Sequence, residues 1–257
     1  MSLFALLDPW LAPAPAPVRV AFLKGVAYAH RGLHGGAIVE NSRAAFVAAI
    51  DGGFGIELDV EASRDGDAFV FHDEELDRLT PMEGRVGACY SRDLDQIRLT
   101  GTDETIPRLH EILALIAGRA TLLIEIKTGR RDIAPLCKSV RHALEGYDGP
   151  VAIMSFNPDV CRWFHDHAPG IVRGLVVTEE GSTALPDRSW AALTRQLALW
   201  RAKPEFLAYD VQDFPARLPQ RQRARGLPIL SWTVRTEAER ATAARYADGP
   251  IFEIPGP

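Results

Sequence analysis

Two carboxylates, Glu57 and Asp59, interrupt the apolar run from Gly55 to Val60. Side chains on a strand alternate faces, so these two share one face and Leu58 takes the other. Buried side by side, they are costly unless a cation or hydrogen bonds compensate. A second apolar run, Leu122 to Lys127, repeats the oddity, with Glu125 and Lys127 on one face late in the run. If the two runs are neighbouring parallel strands, Glu57, Asp59 and Glu125 meet near one point. Three carboxylates there suit a hard divalent cation, Mg²⁺ or Ca²⁺, which prefers oxygen ligands. Salt bridging is the alternative, for example from Glu125 to Lys127 or Arg31.

Two histidines stand at related places. His30 closes the short run Val26–Ala29, and His72 closes Phe69–Phe71. Asp65-Gly66 is a two-residue hairpin signal just before that second run. Such a turn sets His72 opposite Asp59 and returns it to the level of the carboxylates. Imidazoles beside an acidic cluster can exchange acid and base roles near neutral pH. Arg31 and Lys127 add positive charge at the same end, and the combination suits an anion with several oxygens, such as phosphate. His34 reads as a solvated loop residue, and His110, His142, His165 and His167 as helix-surface residues.

The elements that must position these groups alternate along the chain. Strands are expected at Val26–Ala29, Gly55–Val60, Thr121–Ile126, Val151–Met154, Ile171–Val177, Phe206–Tyr209, Pro228–Trp232 and Pro250–Glu253. Helical patterns lie between most of them, at Ser42–Ile50, Leu109–Ile116, Ile133–Leu144, Pro158–His167, Arg188–Trp200, Ala216–Ala224 and Glu237–Tyr246. Strand–helix alternation implies right-handed units on a parallel sheet. Eight units in 257 residues match a (β/α)8 TIM barrel, with a doubly wound open sheet as the alternative. Residues 73–106 break the alternation and read as a small insertion after the second barrel strand, at the mouth where barrel active sites lie. Residues 1–25 read as a lead-in segment and 26–257 as the barrel domain.

Composition narrows the function classes. The net charge is −5, and hydrophobic residues make up 47%, ordinary for a soluble globular chain. No strong basic stripe favours nucleic acid; Arg217, Arg221, Arg223 and Arg225 read as a solvated helix face. Nothing approaches the apolar length of a membrane-spanning helix, so no stable membrane insertion is expected. Cys89, Cys137 and Cys161 are widely spaced and odd in number, which fits buried thiols in a reducing cytosol. Residues 1–17 carry no Lys or Arg, unlike the start of a secretory signal, and a cytoplasmic location is the expectation. Leu3–Leu11 could cover a neighbouring copy or pack on the barrel floor, and the oligomeric state stays open.

The order of short motifs resembles the glycerophosphodiester phosphodiesterase family. They are His30-Arg31-Gly32, Glu40-Asn41-Ser42 with Ala45-Phe46, Glu57-x-Asp59-Val60, Asp65-Gly66 and His72-Asp73, then Ile106-Pro107, Glu125-Ile126-Lys127, Ser155-Phe156-Asn157 and Trp232-Thr233-Val234. The resemblance covers roughly residues 26–253 and is more specific in the N-terminal half. The chain departs from the family pattern with Val39 before the Glu-Asn pair, with Asn157, and with Phe252-Glu253-Ile254-Pro255 at the end. The resemblance implies a phospholipase-C-like barrel and metal-dependent hydrolysis of small glycerophosphodiesters to an alcohol and glycerol 3-phosphate. By position it makes His30 and His72 the acid–base pair, Glu57, Asp59 and Glu125 the ligands of one divalent cation, and Arg31 and Lys127 phosphate ligands. Trp232, on the seventh barrel strand, is a candidate contact to the glycerol or alcohol portion of the substrate or else a barrel-interior aromatic. Lysophospholipase-D-like hydrolysis and a barrel that binds phosphodiesters without turnover are the competing readings.

Overall fold

The structure, a computed structural model, describes residues 8–128, 132–179 and 188–254. Its strands are β1 (Tyr28–Ala29), β2 (Gly55–Ala62), β3 (Ala68–Val70), β4 (Leu122–Ile126), β5 (Val151–Ser155), β6 (Val172–Val177), β7 (Phe206–Asp210), β8 (Ile229–Val234) and β9 (Gly249–Phe252). The sheet order is β1-β9-β8-β7-β6-β5-β4-β2-β3, and β1 also pairs with β2. Eight strands therefore close into a parallel barrel, with β3 added antiparallel to β2. This is the (β/α)8 TIM barrel expected from the alternation, and it excludes the open sheet.

The long helices follow the expected apolar spacing and are started by local chemistry. In helix Arg43–Asp51, the Ser42 hydroxyl accepts from the Ala45 amide, which satisfies a donor the helix leaves free. Asn157 caps helix Pro158–His167 in the same way, with Pro158 at the first helical position. The chain divides into two compact units, Tyr28–Val151 with the segment from Glu253, and the segment up to Ala27 with Ala152–Phe252. Every candidate site residue except Trp232 lies in the first.

Within that first unit the hairpin differs from expectation. Ser63 donates its amide to the Asp67 carbonyl at 3.0 Å, which leaves Arg64-Asp65-Gly66 as a three-residue loop. Gly66 has φ +95°, the left-handed conformation such a loop demands of its last residue. The extra loop residue shifts the register by one: Val60 pairs with Val70 and Ala62 with Ala68. His72 is therefore not the strand partner of Asp59. β3 ends at Val70, and the chain turns out of the ladder before His72.

The insertion at 73–106 has a small core of its own. Phe69, Phe71, Leu76, Val86, Leu94, Leu99 and Ile106 are all buried and packed together. Polar ties fix it to its surroundings. Asp65 accepts from the Ser91 amide and hydroxyl, and Glu104 accepts from the Arg43 and Ala44 amides at the start of the helix. A carboxylate there also meets the positive end of the helix dipole.

In the second unit the arginines of helix Arg217–Ala224 are mostly engaged. Arg221 pairs with Asp8, and Arg223 with Asp248 at 3.0 Å. Of the stretch Leu3–Leu11, residues 3–7 lie outside the described residues, as does Pro255.

Candidate active site

The sheet register assembles the site. β2 and β4 are parallel neighbours, with Asp59 directly beside Glu125. Because side chains alternate, Glu57, Asp59 and Glu125 share the face opposite Ile56, Leu58 and Ile124. Glu57 and Asp59 are fully buried and Glu125 is 6% exposed. One carboxylate oxygen from each lies within 4.8 Å of the others.

Two cations stand against this cluster. Lys127 donates to Glu125 at 2.7 Å and lies 3.0 Å from Asp59. The Arg31 guanidinium lies 3.3 Å from Asp59 and donates to Glu40 at 2.7 Å. The salt bridging weighed from the sequence is thus real, with Arg31 paired to Asp59 and Glu40. It does not exhaust the carboxylates: Glu57 Oε1 is buried and, among the described residues, accepts no hydrogen bond. A buried carboxyl oxygen without a donor, beside two further carboxylates, fits a divalent cation held by Glu57, Asp59 and Glu125.

The loop after β1 delivers the rest. Tyr28 and Ala29 pair with Gly55 and Ile56, so His30 arrives level with Glu57, its Nε2 3.9 Å from Glu57 Oε2. Arg31 adopts φ +55°, which is costly for a non-glycine residue. Two bonds hold it there: its amide donates to Glu57 at 3.0 Å, and its carbonyl accepts from the Asn41 amide at 2.8 Å. Gly32 then passes so close to Ala45 that a Cβ would lie 2.8 Å from the alanine Cβ. Asn41 donates from Nδ2 to Asp59 at 3.0 Å and steadies that carboxylate from behind.

Each histidine leans on an acid. His30 Nδ1 contacts Glu253 Oε1 at 2.5 Å, and His72 Nδ1 contacts Asp73 Oδ1 at 2.6 Å. Glu253 was met in the sequence only as a departure from the family ending, and its position just after the last barrel strand was the signal available. Arg78 was not singled out at all, yet it joins Asp73 to Glu40.

The charges pull the proton affinities apart. Burial would raise the Asp59 carboxyl, but Lys127, His72 and Arg31 outweigh it and hold it at about 2. Burial raises Glu57 well above the usual carboxylate range, and repulsion from Asp59 and Glu125 adds to it. Glu125 is raised by burial against the pull of Lys127. Burial would lower Lys127, but Asp59 and Glu125 overcome it and raise the ammonium above its ordinary value. Both histidines are lowered by burial, His30 against the pull of Glu253 and His72 against that of Asp59. Neutral imidazoles, able to accept or relay a proton, are the result near pH 7. A cavity of about 470 Å³ opens beside His72 and Lys127, with Glu74, Glu75 and Asp77 on its wall.

Trp232 lies in the other unit, the fourth residue of β8. It is half-buried, edge-on to the exposed ring of Phe156 at 5.4 Å. Among the described residues its indole N–H has no hydrogen-bond partner. His34 is half-buried rather than solvated, and its Nε2 is likewise unpartnered.

Residues 30–252 match the model of the glycerophosphoryl diester phosphodiesterase family. This chain belongs to that family. A glycerophosphodiester phosphodiesterase of Bacillus altitudinis is 33% identical over 156 residues, covering 56% of this chain and 63% of that protein, just under two thirds of its length. Glycerophosphodiester phosphodiesterase 1 of Rattus norvegicus is 26% identical over 255 residues, covering 83% of this chain and 73% of the rat protein. Among solved structures, an Oleispira antarctica phosphodiesterase in complex with its product sn-glycerol-3-phosphate superposes with a TM-score of 0.75 at 24% identity, covering 90% of this chain and 93% of that one. At that identity the likeness speaks for the family's barrel. No helix among the described residues is long and apolar enough to cross a membrane.

Proposed function

We propose that this family member hydrolyses glycerophosphodiesters to an alcohol and glycerol 3-phosphate, using His30 and His72 as an acid–base pair. The carrying observation is the arrangement of two half-buried imidazoles, each braced by its own acid, beside three carboxylates with an oxygen unpaired among the described residues. The product bound by the Oleispira relative supports the same choice of substrate. Residues 26–257 act as one phosphodiesterase domain after a lead-in at 1–25, an extent supported by the match over 30–252.

Glu57, Asp59 and Glu125 would hold one Mg²⁺ or Ca²⁺, which neutralises negative charge on the phosphate when bound. Arg31 and Lys127 bind the phosphate oxygens and stabilise the charge of the five-coordinate transition state. One imidazole takes the proton of the nucleophile, either water or the glycerol 2-hydroxyl. The other gives a proton to the leaving alkoxide. Each bracing acid holds its ring with Nδ1 protonated and Nε2 toward the substrate, bare on the ring that acts as base and protonated on the ring that acts as acid. Trp232 packs on the glycerol or alcohol portion. The free thiols at Cys89, Cys137 and Cys161 support a reducing, cytoplasmic setting.

The test is glycerol 3-phosphate release from glycerophosphocholine with Mg²⁺ or Ca²⁺, then again after chelation. Metal-dependent release is expected. Release that survives chelation would remove the cation from the reading, and no release from any simple glycerophosphodiester would remove the reaction.

A further inference from the structure

We propose that Arg78, in the insertion, is a positioning residue that sets the catalytic geometry of His72 and the grip of Arg31 at once. Its guanidinium is shared between two carboxylates. Nε donates to Asp73 Oδ2 at 2.6 Å and Nη2 to Asp73 Oδ1 at 3.1 Å. Nη1 donates to Glu40 Oε2 at 2.9 Å and the same Nη2 to Glu40 Oε1 at 2.7 Å. Both forks are bidentate, the geometry in which a planar guanidinium fixes direction as well as distance. Asp73 in turn holds His72 Nδ1, and Glu40 Oε1 accepts from Arg31 Nη1 at 2.7 Å. One side chain thereby connects the loop after β1 to the loop after β3, through the two acids that orient the groups facing the carboxylate cluster.

The arrangement is poorly suited to a purely structural role. Arg78 is 47% exposed, and exposed ion pairs contribute little to stability. The insertion is already held by its own apolar core and by Asp65 on Ser91, Glu104 on the helix at Arg43, and Arg108 on Asp95 and Asp67. Without Arg78, Asp73 can swing on its backbone and take the His72 ring with it. Glu40 keeps Arg31 but loses its own anchor. Small displacements of reacting groups are expensive in rate even where they cost little stability. The inference rests on the reading that His72 carries a proton and Arg31 a phosphate oxygen.

The test is steady-state kinetics on glycerophosphocholine with Mg²⁺ for the full chain and its variants. Arg78→Ala should lower kcat/KM on the order of 10²-fold through both a lower kcat and a higher KM. Its melting temperature should move by no more than about 3 °C. Arg78→Lys keeps the charge without the fork and should resemble Arg78→Ala rather than the wild type. Asp73→Asn should act mainly on kcat, and Glu40→Gln, through Arg31, on KM and kcat together. In a His72→Ala background, Arg78→Ala should lower the residual kcat by clearly less than it lowers that of the wild type, because the part of its effect that passes through that ring is already lost. An active wild type, an inactive His72→Ala and a fully active Arg78→Ala would overturn this inference alone. So would a loss restored in full by lysine, or one that adds in full to His72→Ala. An inactive wild type or an active His72→Ala would instead overturn the acid–base reading beneath it, and the inference with it.

Discussion

Two clusters of buried charge, one in each unit, are built to opposite ends. In the second unit, Glu205 is enclosed by arginines. Arg19 donates to both of its oxygens, and Arg173 Nη1 donates to Oε2 at 3.0 Å. The arginines are satisfied as well, Arg173 by the Lys203 carbonyl and Arg19 by the carbonyls of Pro169 and Gly170. Both oxygens of Glu205 thus have arginine donors, and the cluster closes on itself. In the first unit, Glu57, Asp59 and Glu125 face Lys127 and Arg31, and Glu57 Oε1 has no donor among the described residues. That cluster is complete only with something added. A closed network holds a fold together, whereas an open one stores an unmet demand for positive charge and is the mark of a binding site.

The contrast breaks most decisively at the histidines. His30→Ala and His72→Ala should each lower kcat on the order of 10²–10⁴-fold. Cation affinity, read by titration calorimetry, should stay near that of the wild type. Full turnover in either variant would show that the open cluster is not catalytic.

The closed cluster should answer in stability instead. Glu205→Gln leaves the buried Arg173 without its counter-charge and should cost about 3 kcal/mol in urea unfolding. Its turnover per folded molecule at low temperature should be unchanged. A variant as stable as the wild type would mean that the network is not closed by its charges.

The smallest effect sharpens the comparison at Glu57. Its carboxyl is raised in the folded protein by burial and by Asp59 and Glu125. The folded state thus holds that proton more tightly than the unfolded chain. The associated stability is present below the ordinary value of about 4.5 and is lost as the pH rises through the raised value. Asp59 runs the other way: held at about 2, it contributes stability above its ordinary value that is lost as the pH falls through about 2. Metal-free Glu57→Gln should therefore melt above the metal-free wild type near pH 7–8, with the gap closing toward pH 4. Calorimetric melting across that range measures it. An equal melting temperature at neutral pH would show that Glu57 carries no unmet charge.

Much of this was present in local sequence pattern. Alternation placed Glu57, Asp59, Glu125 and Lys127 on inner faces, and Ser42 and Asn157 announced their helices. The hairpin was misjudged because Asp65-Gly66 signals a turn without settling how many residues join it, and one residue alters the register. Residues 73–106 read only as an insertion that breaks the alternation. Its core draws Phe69 and Phe71 from the hairpin and Leu76, Val86, Leu94, Leu99 and Ile106 from the insertion, so no single window shows it.

Chain order and side-chain alternation by themselves determined the strand–helix order, the acids that share a strand face and the pair of strand-ending histidines, because both are short-range properties of a repeating backbone. Tertiary structure alone decided which acid braces which group: Glu253 on His30, Asp73 on His72, and Arg78 between Asp73 and Glu40. A hydrogen bond depends on where two atoms finish in space. For His30 and Glu253, 223 positions apart, that is set by closure of the barrel and leaves no periodic trace along the chain.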